Sequence, residues 1–406
     1  MEMTSTAIPD YRLEPGEPVE LGFSPDRLMD MRTNLSRFVS DRKQAGIVNL
    51  VARRGRIADL NCFGSRSLDP AQPMTRDTIF RIFSLSKMIT SVAALTLLEE
   101  GRFSLLTPIC EFLPKFRYLN VMVGGRADDP ELVPAKRLIT IQHLFTHTSG
   151  LAYEFQGDGG VYELYRRANL WQISTLAEWA DKVSELPLRN HPGEGYEYSV
   201  SIDLLGSLIQ LITGKPLGDV FRERILAPLG MKDTGFQLTP EQSARLAQIY
   251  RRNEKGELVL AESVLGQDAA PAHQLPSGGA GLFSTIDDYA QFAQMLCQGG
   301  TYGGAQVLGR KTVELMMMNH LPAFGIQHQP DKPAYGFGLG GEVRTDPTRS
   351  DRLGSLGEFG WYGAATTCCK IDRAEELIFL CFSQHFPFDE HELFYRFANW
   401  VYRALK

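Results

Sequence analysis

The stretch IFRIFSLSK, residues 79–87, leads from an apolar segment into a run with helical spacing, and it carries Ser84 and Lys87. The apolar residues after Lys87 end at Gly101, and glycine is common just past a helix end. Residues three apart share one face of a helix, so the Lys87 amine can reach the Ser84 hydroxyl. Unpaired N–H groups at a helix N-terminus also favour an oxyanion. A serine, an amine and such donors together suit nucleophilic acyl transfer.

A serine followed three residues later by a lysine is a short pattern, and the chain carries a second copy at residues 40–43. That copy lies in a highly charged helical stretch, which predicts a solvated face. The residues around Ser84 are apolar instead, and such surroundings can hold Lys87 partly neutral. The structural alternative for Ser84 is a helix cap beside a surface lysine. Residues 79–87 alone leave both interpretations open.

Size, composition and charge exclude several classes of partner. The chain has 406 residues, 43% hydrophobic and 22% charged, and a formal net charge of −6. We expect one large domain or two closely packed ones, and no nucleic-acid partner, because no block of basic residues stands out. The apolar runs are shorter than the roughly 20 residues that span a membrane, so no membrane insertion is expected. The first residues lack a basic and apolar signal segment, which predicts a cytoplasmic protein.

The metal-ligating residue types form no familiar site pattern. The six cysteines include no C-x-x-C pair, which predicts reduced, mostly buried thiols. His143 and His147 lie four apart, the spacing of a metal pair, but the glutamate that zinc proteases carry after the first histidine is missing. We therefore expect a structural role for both histidines, and neither a metal nor a cofactor.

Local signals predict helices at both ends of the chain, with strands next to them. Ser24 followed by Pro25 marks a helix start, and this helix should continue to about Gln44. Strands are predicted at residues 47–53, 57–62, 78–83, 335–341, 363–371 and 377–383. Besides the helix that begins at Ser84, others are predicted at residues 140–145, 170–186, 201–212, 220–229, 286–296, 313–318 and 388–405.

This order of elements predicts an α/β (α+β) fold. Segments from both ends would form one antiparallel sheet with the terminal helices on a face, in a discontinuous domain of residues 1–82 and 275–406. Residues 83–274 would form a mostly helical domain beside it. We expect the active site between the two domains.

Two further stretches carry residues suited to acyl transfer. In PGEGYEYSV, residues 192–200, Tyr198 follows a turn, and a phenol can relay a proton where nearby cations lower its pKa. In GWYGAA, residues 360–365, Gly363 lets a backbone approach closely, and the Ala364 N–H is a candidate second oxyanion donor. The structural alternatives are a packed aromatic with a satisfied hydroxyl and an ordinary glycine-containing strand.

Taken in order, these three stretches resemble the serine penicillin-recognising enzymes. The likeness is greatest to class C β-lactamases and to the family VIII carboxylesterases that share their fold. HTSGL at residues 147–151 and GGAGL at residues 278–282 also match signatures of that group. The resemblance covers residues from about 25 to the end, and it implies the β-lactamase/transpeptidase-like fold.

The resemblance also implies a role for each site residue. Ser84 would be the acylated nucleophile, and Lys87 and Tyr198 would share the work of the general base. The backbone N–H groups of Ser84 and Ala364 would form the oxyanion hole. The residues that the resemblance places around the substrate are Tyr153, Trp361, Tyr362 and Gly363.

The departures from the lactamase pattern favour an esterase. Trp361-Tyr362-Gly363 stands where lactamases carry Lys-Thr-Gly, so an anionic substrate loses a cationic partner. Val200 stands where lactamases carry asparagine. The chain also lacks a G-x-S-x-G nucleophile elbow, so an ordinary α/β-hydrolase is not expected. We predict hydrolysis of small neutral carboxylic esters, with weak β-lactam hydrolysis as a side activity.

Three alternatives stay open at this point. One is an acyltransferase that uses the same acyl-enzyme, similar to the fungal enzyme that acylates a statin precursor. Another is a β-lactamase or D-alanyl peptidase, and the third is a catalytically inactive penicillin-binding sensor. The sequence does not predict the oligomeric state.

Overall fold

A nine-stranded sheet is the largest element of the computed structural model, which describes residues 11–261, 275–327, 329 and 332–406. Its strands, in chain order β1 to β9, are Glu14–Pro15, Gly46–Arg53, Arg56–Leu68, Ala71–Pro73, Tyr335–Phe337, Glu342–Arg344, Phe359–Gly363, Thr367–Asp372 and Leu377–Phe382. The order across the sheet is β1-β3-β2-β9-β8-β7-β6-β5, and β4 pairs with β3. All pairs are antiparallel except β1 with β3. Strands from both ends of the chain thus build one sheet, as the sequence predicted.

The two terminal helices cover one face of this sheet. Helix α1, Pro25–Ser40, begins where Ser24 accepts a hydrogen bond from the Arg27 N–H, as the Ser-Pro signal predicted. It ends four residues before the expected Gln44. The C-terminal helix Leu393–Ala404 packs beside it. Helix α1 covers β2 and β3, and the C-terminal helix covers β9.

Three longer helices lie on the opposite side of the sheet. Helix α2 is Ser86–Glu99, α3 is Ser201–Thr213 and α4 is Ile286–Cys297; the C-terminal helix is α5. Helix α4 lies directly on the sheet, and α2 and α3 pack behind it in the same continuous core. The predicted division into two domains stays a prediction, and its second boundary falls next to residues 262–274, which lie outside the described ones.

Short elements complete the described chain. The shorter helices are Ile141–Phe145, Gly160–Ala168, Leu176–Ser184, Leu217–Phe221, Pro240–Ser243 and Arg310–Met316. The shorter strands pair as Phe80–Arg81 with Phe283–Ser284, Asn120–Arg126 with Asp129–Pro134, Thr301–Tyr302 with Ala305–Gln306, and Tyr250–Arg252 with both Leu258–Leu260 and His385–Phe386. Within the described ranges, no helix is both long and apolar enough to cross a membrane. All six cysteines are free thiols.

Several predicted elements are shorter or divided in the structure. The predicted helix 170–186 is interrupted because Thr175 caps a new helix, its side chain accepting the Glu178 N–H. The predicted strand 363–371 is wrong at its start: β7 ends at Gly363, and Thr366 turns the chain with φ +62° before β8 begins. The hairpin Asn120–Arg126 with Asp129–Pro134 was not predicted.

Candidate active site

Ser84 lies in a single 3₁₀ turn, Phe83–Leu85, immediately before α2. The residue before it, Phe83, has φ +44°, a conformation that non-glycine residues rarely adopt and that stores strain. Phe83 is fully buried, and its ring contacts that of Phe386 at 5.7 Å between centroids. Packing therefore holds a strained turn that presents Ser84 at the end of the helix.

The Lys87 amine lies against the Ser84 hydroxyl, as the three-residue spacing predicted. Its Nζ is 3.1 Å from Ser84 Oγ, and Lys87 is fully buried. The same nitrogen is 2.8 Å from the Gly279 carbonyl oxygen and 3.2 Å from the Tyr153 hydroxyl. These three hydrogen-bond partners together fix the position of the Lys87 amine.

The Tyr198 hydroxyl is the second group at the serine. It donates to Ser84 Oγ at 2.7 Å, and the Lys87 amine nitrogen lies 4.6 Å from the centroid of the Tyr198 ring. The Trp361 indole N–H donates to the same hydroxyl at 3.4 Å. The neighbouring Tyr196 packs its ring against Phe337 instead. Of the two tyrosines in this loop, the structure brings Tyr198 to Ser84.

Asp203 lies behind Lys87 and was not among the predicted site residues. This buried carboxylate accepts the Gly279 N–H at 2.9 Å, the Ser277 hydroxyl and the Tyr153 hydroxyl at 3.0 Å. It therefore fixes two of the three groups that hold the lysine amine. A sequence signal exists, because Asp203 comes five residues after Tyr198 and stands between apolar residues of a buried helix.

Tyr153 joins Asp203 to Lys87. Burial, and then the Asp203 charge, raise the pKa of Tyr153 well above its usual value, so its phenol stays neutral. Its ring stacks on Phe155 at 4.7 Å, and Phe155 is more than half exposed. Tyr153 was predicted to line the substrate pocket, but its hydroxyl is occupied by Lys87 and Asp203.

His143 and His147, for which a structural role was predicted, each accept a hydrogen bond from a backbone N–H. His147 Nδ1 accepts the Ser199 N–H at 3.2 Å, and burial together with the Lys87 charge lowers the pKa of His147 well below 6.5. His143 Nδ1 accepts the Thr140 N–H at 3.0 Å and caps a helix. His147 therefore acts as a neutral support for the loop that carries Tyr198.

The second Ser-x-x-Lys copy is a solvated surface feature, as expected. Ser40 ends α1, and its hydroxyl bonds the Arg37 carbonyl oxygen in an exposed position. The Lys43 amine lies 3.9 Å from the carboxylate of Asp41. Neither residue approaches a buried catalytic partner.

Strand β7 passes directly beside the nucleophile turn. A side chain at Gly363 would collide with the Ile82 carbonyl oxygen, so only glycine allows this approach. Ala364 follows at the end of the strand, next to the turn that carries Ser84. This placement suits an oxyanion donor, and that role stays a prediction for the Ala364 N–H.

Trp361 and Tyr362 lie on opposite faces of β7, because successive strand residues alternate. The Trp361 ring lies 5.5 Å from the Tyr198 ring and 5.2 Å from the Phe337 ring, at the site. Tyr362 instead bonds the Glu342 carboxylate and packs against the ring of Phe394 in α5. The rings of Trp361 and Tyr362 are 5.8 Å apart, and contact of either one with a substrate stays a prediction.

Comparison with known proteins places this arrangement in a family. The family model described as Beta-lactamase matches residues 31–398. Protein Rv1367c of Mycobacterium tuberculosis (strain ATCC 25618 / H37Rv) is 37% identical, over 84% of this chain and 86% of its own length. Esterase EstB of Burkholderia gladioli is 28% identical, over 82% of this chain and 84% of its own.

Among solved structures, the LovD6 mutant of simvastatin synthase from Aspergillus terreus superposes with a TM-score of 0.81. It is 27% identical, and the match covers 94% of this chain and 98% of that one. The β-lactamase/transpeptidase-like fold and the likeness to family VIII carboxylesterases, both predicted from the sequence, are confirmed. The chain belongs to the beta-lactamase family of serine enzymes.

Proposed function

We propose that the protein is a carboxylesterase that hydrolyses small neutral esters through an acyl-enzyme on Ser84. The observation that carries this proposal is the pair of contacts on one oxygen. The Tyr198 hydroxyl lies 2.7 Å from Ser84 Oγ, and the Lys87 amine lies 3.1 Å from it. A hydroxyl with two proton-handling groups in hydrogen-bond reach is an activated nucleophile.

The proposed acylation starts from the form of the Tyr198–Lys87 pair that lacks one proton. Ser84 Oγ attacks the ester carbonyl carbon and gives its proton to that pair. The two groups titrate as a coupled unit, so the proton belongs to the pair. The N–H groups of Ser84 and Ala364 would stabilise the oxyanion. The carbon–oxygen bond to the alcohol then breaks, and the pair returns the proton to the leaving alkoxide.

In the proposed deacylation, water attacks the acyl carbon and gives its proton to the same pair. The second tetrahedral intermediate collapses, releases the carboxylic acid and restores the Ser84 hydroxyl. Asp203 and Tyr153 hold Lys87 in place throughout, because their hydrogen bonds fix its amine in the buried cluster.

The surroundings of Trp361 support a neutral substrate. Trp361 offers apolar area where a cation would meet a carboxylate. The Lys332 ammonium does approach the Trp361 ring, at 5.3 Å from its centroid, but it is 3.1 Å from the buried Glu342 carboxylate. An anionic β-lactam therefore competes with Glu342 for this cation, which supports only weak β-lactam hydrolysis.

An acyltransferase is the second candidate, favoured by the similarity to simvastatin synthase over 94% of this chain. It would use the same acyl-enzyme and replace water with an alcohol acceptor. The two activities share every residue of the cluster. They differ in how fast the acyl group leaves when no acceptor alcohol is present.

Mass spectrometry of the protein mixed with p-nitrophenyl butyrate, with nitrophenol release followed in parallel, tests the proposal. Continuous release with a transient butyryl group on the peptide containing Ser84 is the expected result. A single burst with a persistent adduct would favour the acyltransferase or the sensor. The Ser84→Ala variant is the control, and it should keep its fold and lose both signals. Retained turnover in that variant would reject Ser84 as the nucleophile.

A further inference from the structure

Two histidines and a glutamate converge on the segment that joins β9 to α5. Each of His385, Glu390 and His391 offers one ligand atom, and these atoms lie within 4.8 Å of one another. The shortest separation, 2.8 Å, joins His385 Nε2 to Glu390 Oε2, and His391 Nε2 lies 3.7 Å from the same oxygen. In a tetrahedral zinc site with bonds of about 2.0–2.1 Å, ligand atoms lie about 3.4 Å apart, so only small movements are needed.

The cluster contains a ligand nitrogen that the protein leaves unused. Among the described residues, His391 Nε2 is buried and has no hydrogen-bond partner. The side chain of His385 is fully buried, and Glu390 is about one-third exposed. A buried unpartnered nitrogen costs stability unless something binds it. The exposed edge at Glu390 leaves a route by which an ion can enter.

The charges around the cluster bear on which form the histidines take. Burial lowers the pKa of both His385 and His391, and the nearby positive charge of Arg252 lowers both further, while Glu390 opposes this. The more distant Lys43 acts in the same direction on His391. Neutral imidazole is the form that binds metals.

We propose that His385, Glu390 and His391 form a binding site for a single transition-metal ion, and that zinc is the ion it fits best. Two imidazole nitrogens and one carboxylate oxygen suit Zn²⁺, whereas Mg²⁺ and Ca²⁺ prefer sites made of oxygens. The fourth position faces the exposed side of Glu390 and would hold water. When the ion binds at His385 Nε2, the proton on that nitrogen moves to Nδ1 of the same ring, so the imidazole stays neutral.

The site would brace the turn that follows β7. The His385 N–H donates to the Ala365 carbonyl oxygen at 3.1 Å, and the Thr366 hydroxyl donates to the His385 carbonyl oxygen at 3.1 Å. The Asp389 N–H donates to the Thr366 hydroxyl oxygen, also at 3.1 Å. An ion that ties residue 385 to residues 390 and 391 therefore stiffens the segment bonded to the turn of residues 364–366.

Isothermal titration of the untagged, metal-free protein with zinc chloride tests the proposal, with thermal unfolding measured in parallel. One zinc ion per chain and a rise in Tm of at least about 2 °C are expected, because a ligand that binds only the folded state stabilises it. Magnesium chloride should produce neither effect. Absence of stoichiometric zinc binding to the wild type would overturn the proposal.

Variants then locate the ion. His391→Ala and Glu390→Gln should each weaken zinc binding by at least about tenfold, because each removes one of three ligands. His191→Ala is the matched control, since His191 lies outside the cluster, and it should bind zinc like the wild type. Because Glu390 is at the edge, its substitution leaves the buried packing intact. If both cluster variants bind zinc as tightly as the wild type, the ion sits elsewhere and the proposal is wrong.

Discussion

The hydroxyl oxygen of Ser84 has two hydrogen-bond partners of different chemistry, a phenol and an amine. Both are held by other groups, Tyr198 by the Trp361 indole and Lys87 by Tyr153 and Gly279. A serine placed in this way needs no movement of its partners before it attacks. At the scale of single residues, the mechanism depends on these fixed distances.

The Tyr198→Phe variant removes the hydroxyl that lies 2.7 Å from Ser84 Oγ and keeps the ring. We expect kcat for p-nitrophenyl butyrate to fall by about 10²–10⁴, the usual contribution of a general acid or base. Tyr196→Phe is the control, since the Tyr196 ring packs against Phe337 and Tyr198 is the one that bonds Ser84. A larger loss in the Tyr196 variant would mean that the wrong tyrosine was assigned.

The Asp203→Asn variant tests the support behind Lys87. An amide keeps the size of the side chain but offers one acceptor oxygen where the carboxylate serves Gly279, Ser277 and Tyr153. We expect kcat to fall about 10–100-fold while KM changes little, because the lysine moves while the residues that would contact the substrate stay in place. The same substitution at exposed Asp181 should leave both constants unchanged. A rise in KM alone would place Asp203 in substrate binding.

The residues at the serine differ in how far the sequence predicts them. Ser84 and Lys87 follow a local spacing, and Tyr198 stands in a recognisable turn, so the sequence predicts each of them. Asp203 and the Gly279 carbonyl are different, because the contacts that tie them to the Lys87 cluster join segments far apart in the chain. The sequence marks them only indirectly, by a carboxylate inside an apolar helix and by the signature at residues 278–282.

The two adjacent aromatic residues of β7 have different hydrogen-bond partners. Trp361 faces the site, and Tyr362 faces a buried ion cluster of Glu342, Lys332 and Lys370. Burial opposes ionisation of Glu342, but the two lysines outweigh it and hold the pKa of Glu342 well below its usual value. At the scale of the element, alternation along the strand decides which groups each of the two residues bonds.

The Trp361→Ala variant should change which acyl chains the enzyme prefers. Loss of the indole opens apolar space beside Tyr198, so the ratio of kcat/KM between octanoate and acetate p-nitrophenyl esters should rise about tenfold or more. Tyr362→Phe is the control on the opposite face, and it should leave this ratio unchanged. An unchanged ratio in the Trp361 variant would mean that Trp361 does not contact the acyl chain.

Elements with strong local signals were predicted well. Ser24 with Pro25 marks the start of α1, and Thr285 caps α4 in the same way, by accepting the Asp288 N–H. The start of the predicted strand 363–371 was wrong, because residues 359–363 form a strand of their own before the turn at Thr366. The 120–134 hairpin was missed because its strands are exposed and lack a clear apolar alternation.

On the scale of the whole molecule, Asp288 joins α4 to a distant segment of the chain, residues 233–234. Its carboxylate accepts the Asp233 N–H and the Thr234 hydroxyl, both at 2.8 Å. Burial raises the pKa of Asp288 to about 7, although these two hydrogen bonds oppose the shift. The unfolded value is about 3.9. Because the folded state holds the proton more tightly, the contribution of Asp288 to stability falls as pH rises from about 4 to about 7.

The Asp288→Asn variant removes this titration and keeps an acceptor oxygen. Relative to the wild type, its free energy of unfolding should increase between about pH 4 and pH 7 and level off above that range. Urea unfolding at several pH values measures the difference. Asp181→Asn, on the surface, should show no such trend. A difference that is independent of pH would mean that Asp288 is already ionised throughout this range.

Strand β2 lies between β3, which is synthesised directly after it, and β9, which is synthesised much later. Strand β3 follows β2 at once, but β9 begins at Leu377, more than 300 residues after Arg53. At about 5–20 residues per second, the ribosome needs roughly 15–65 s to deliver that partner. During this time a strand that ends up buried keeps one edge unpaired, and such edges recruit other chains. The order of strands therefore leaves the nascent chain open to edge-to-edge aggregation until its last hairpin emerges.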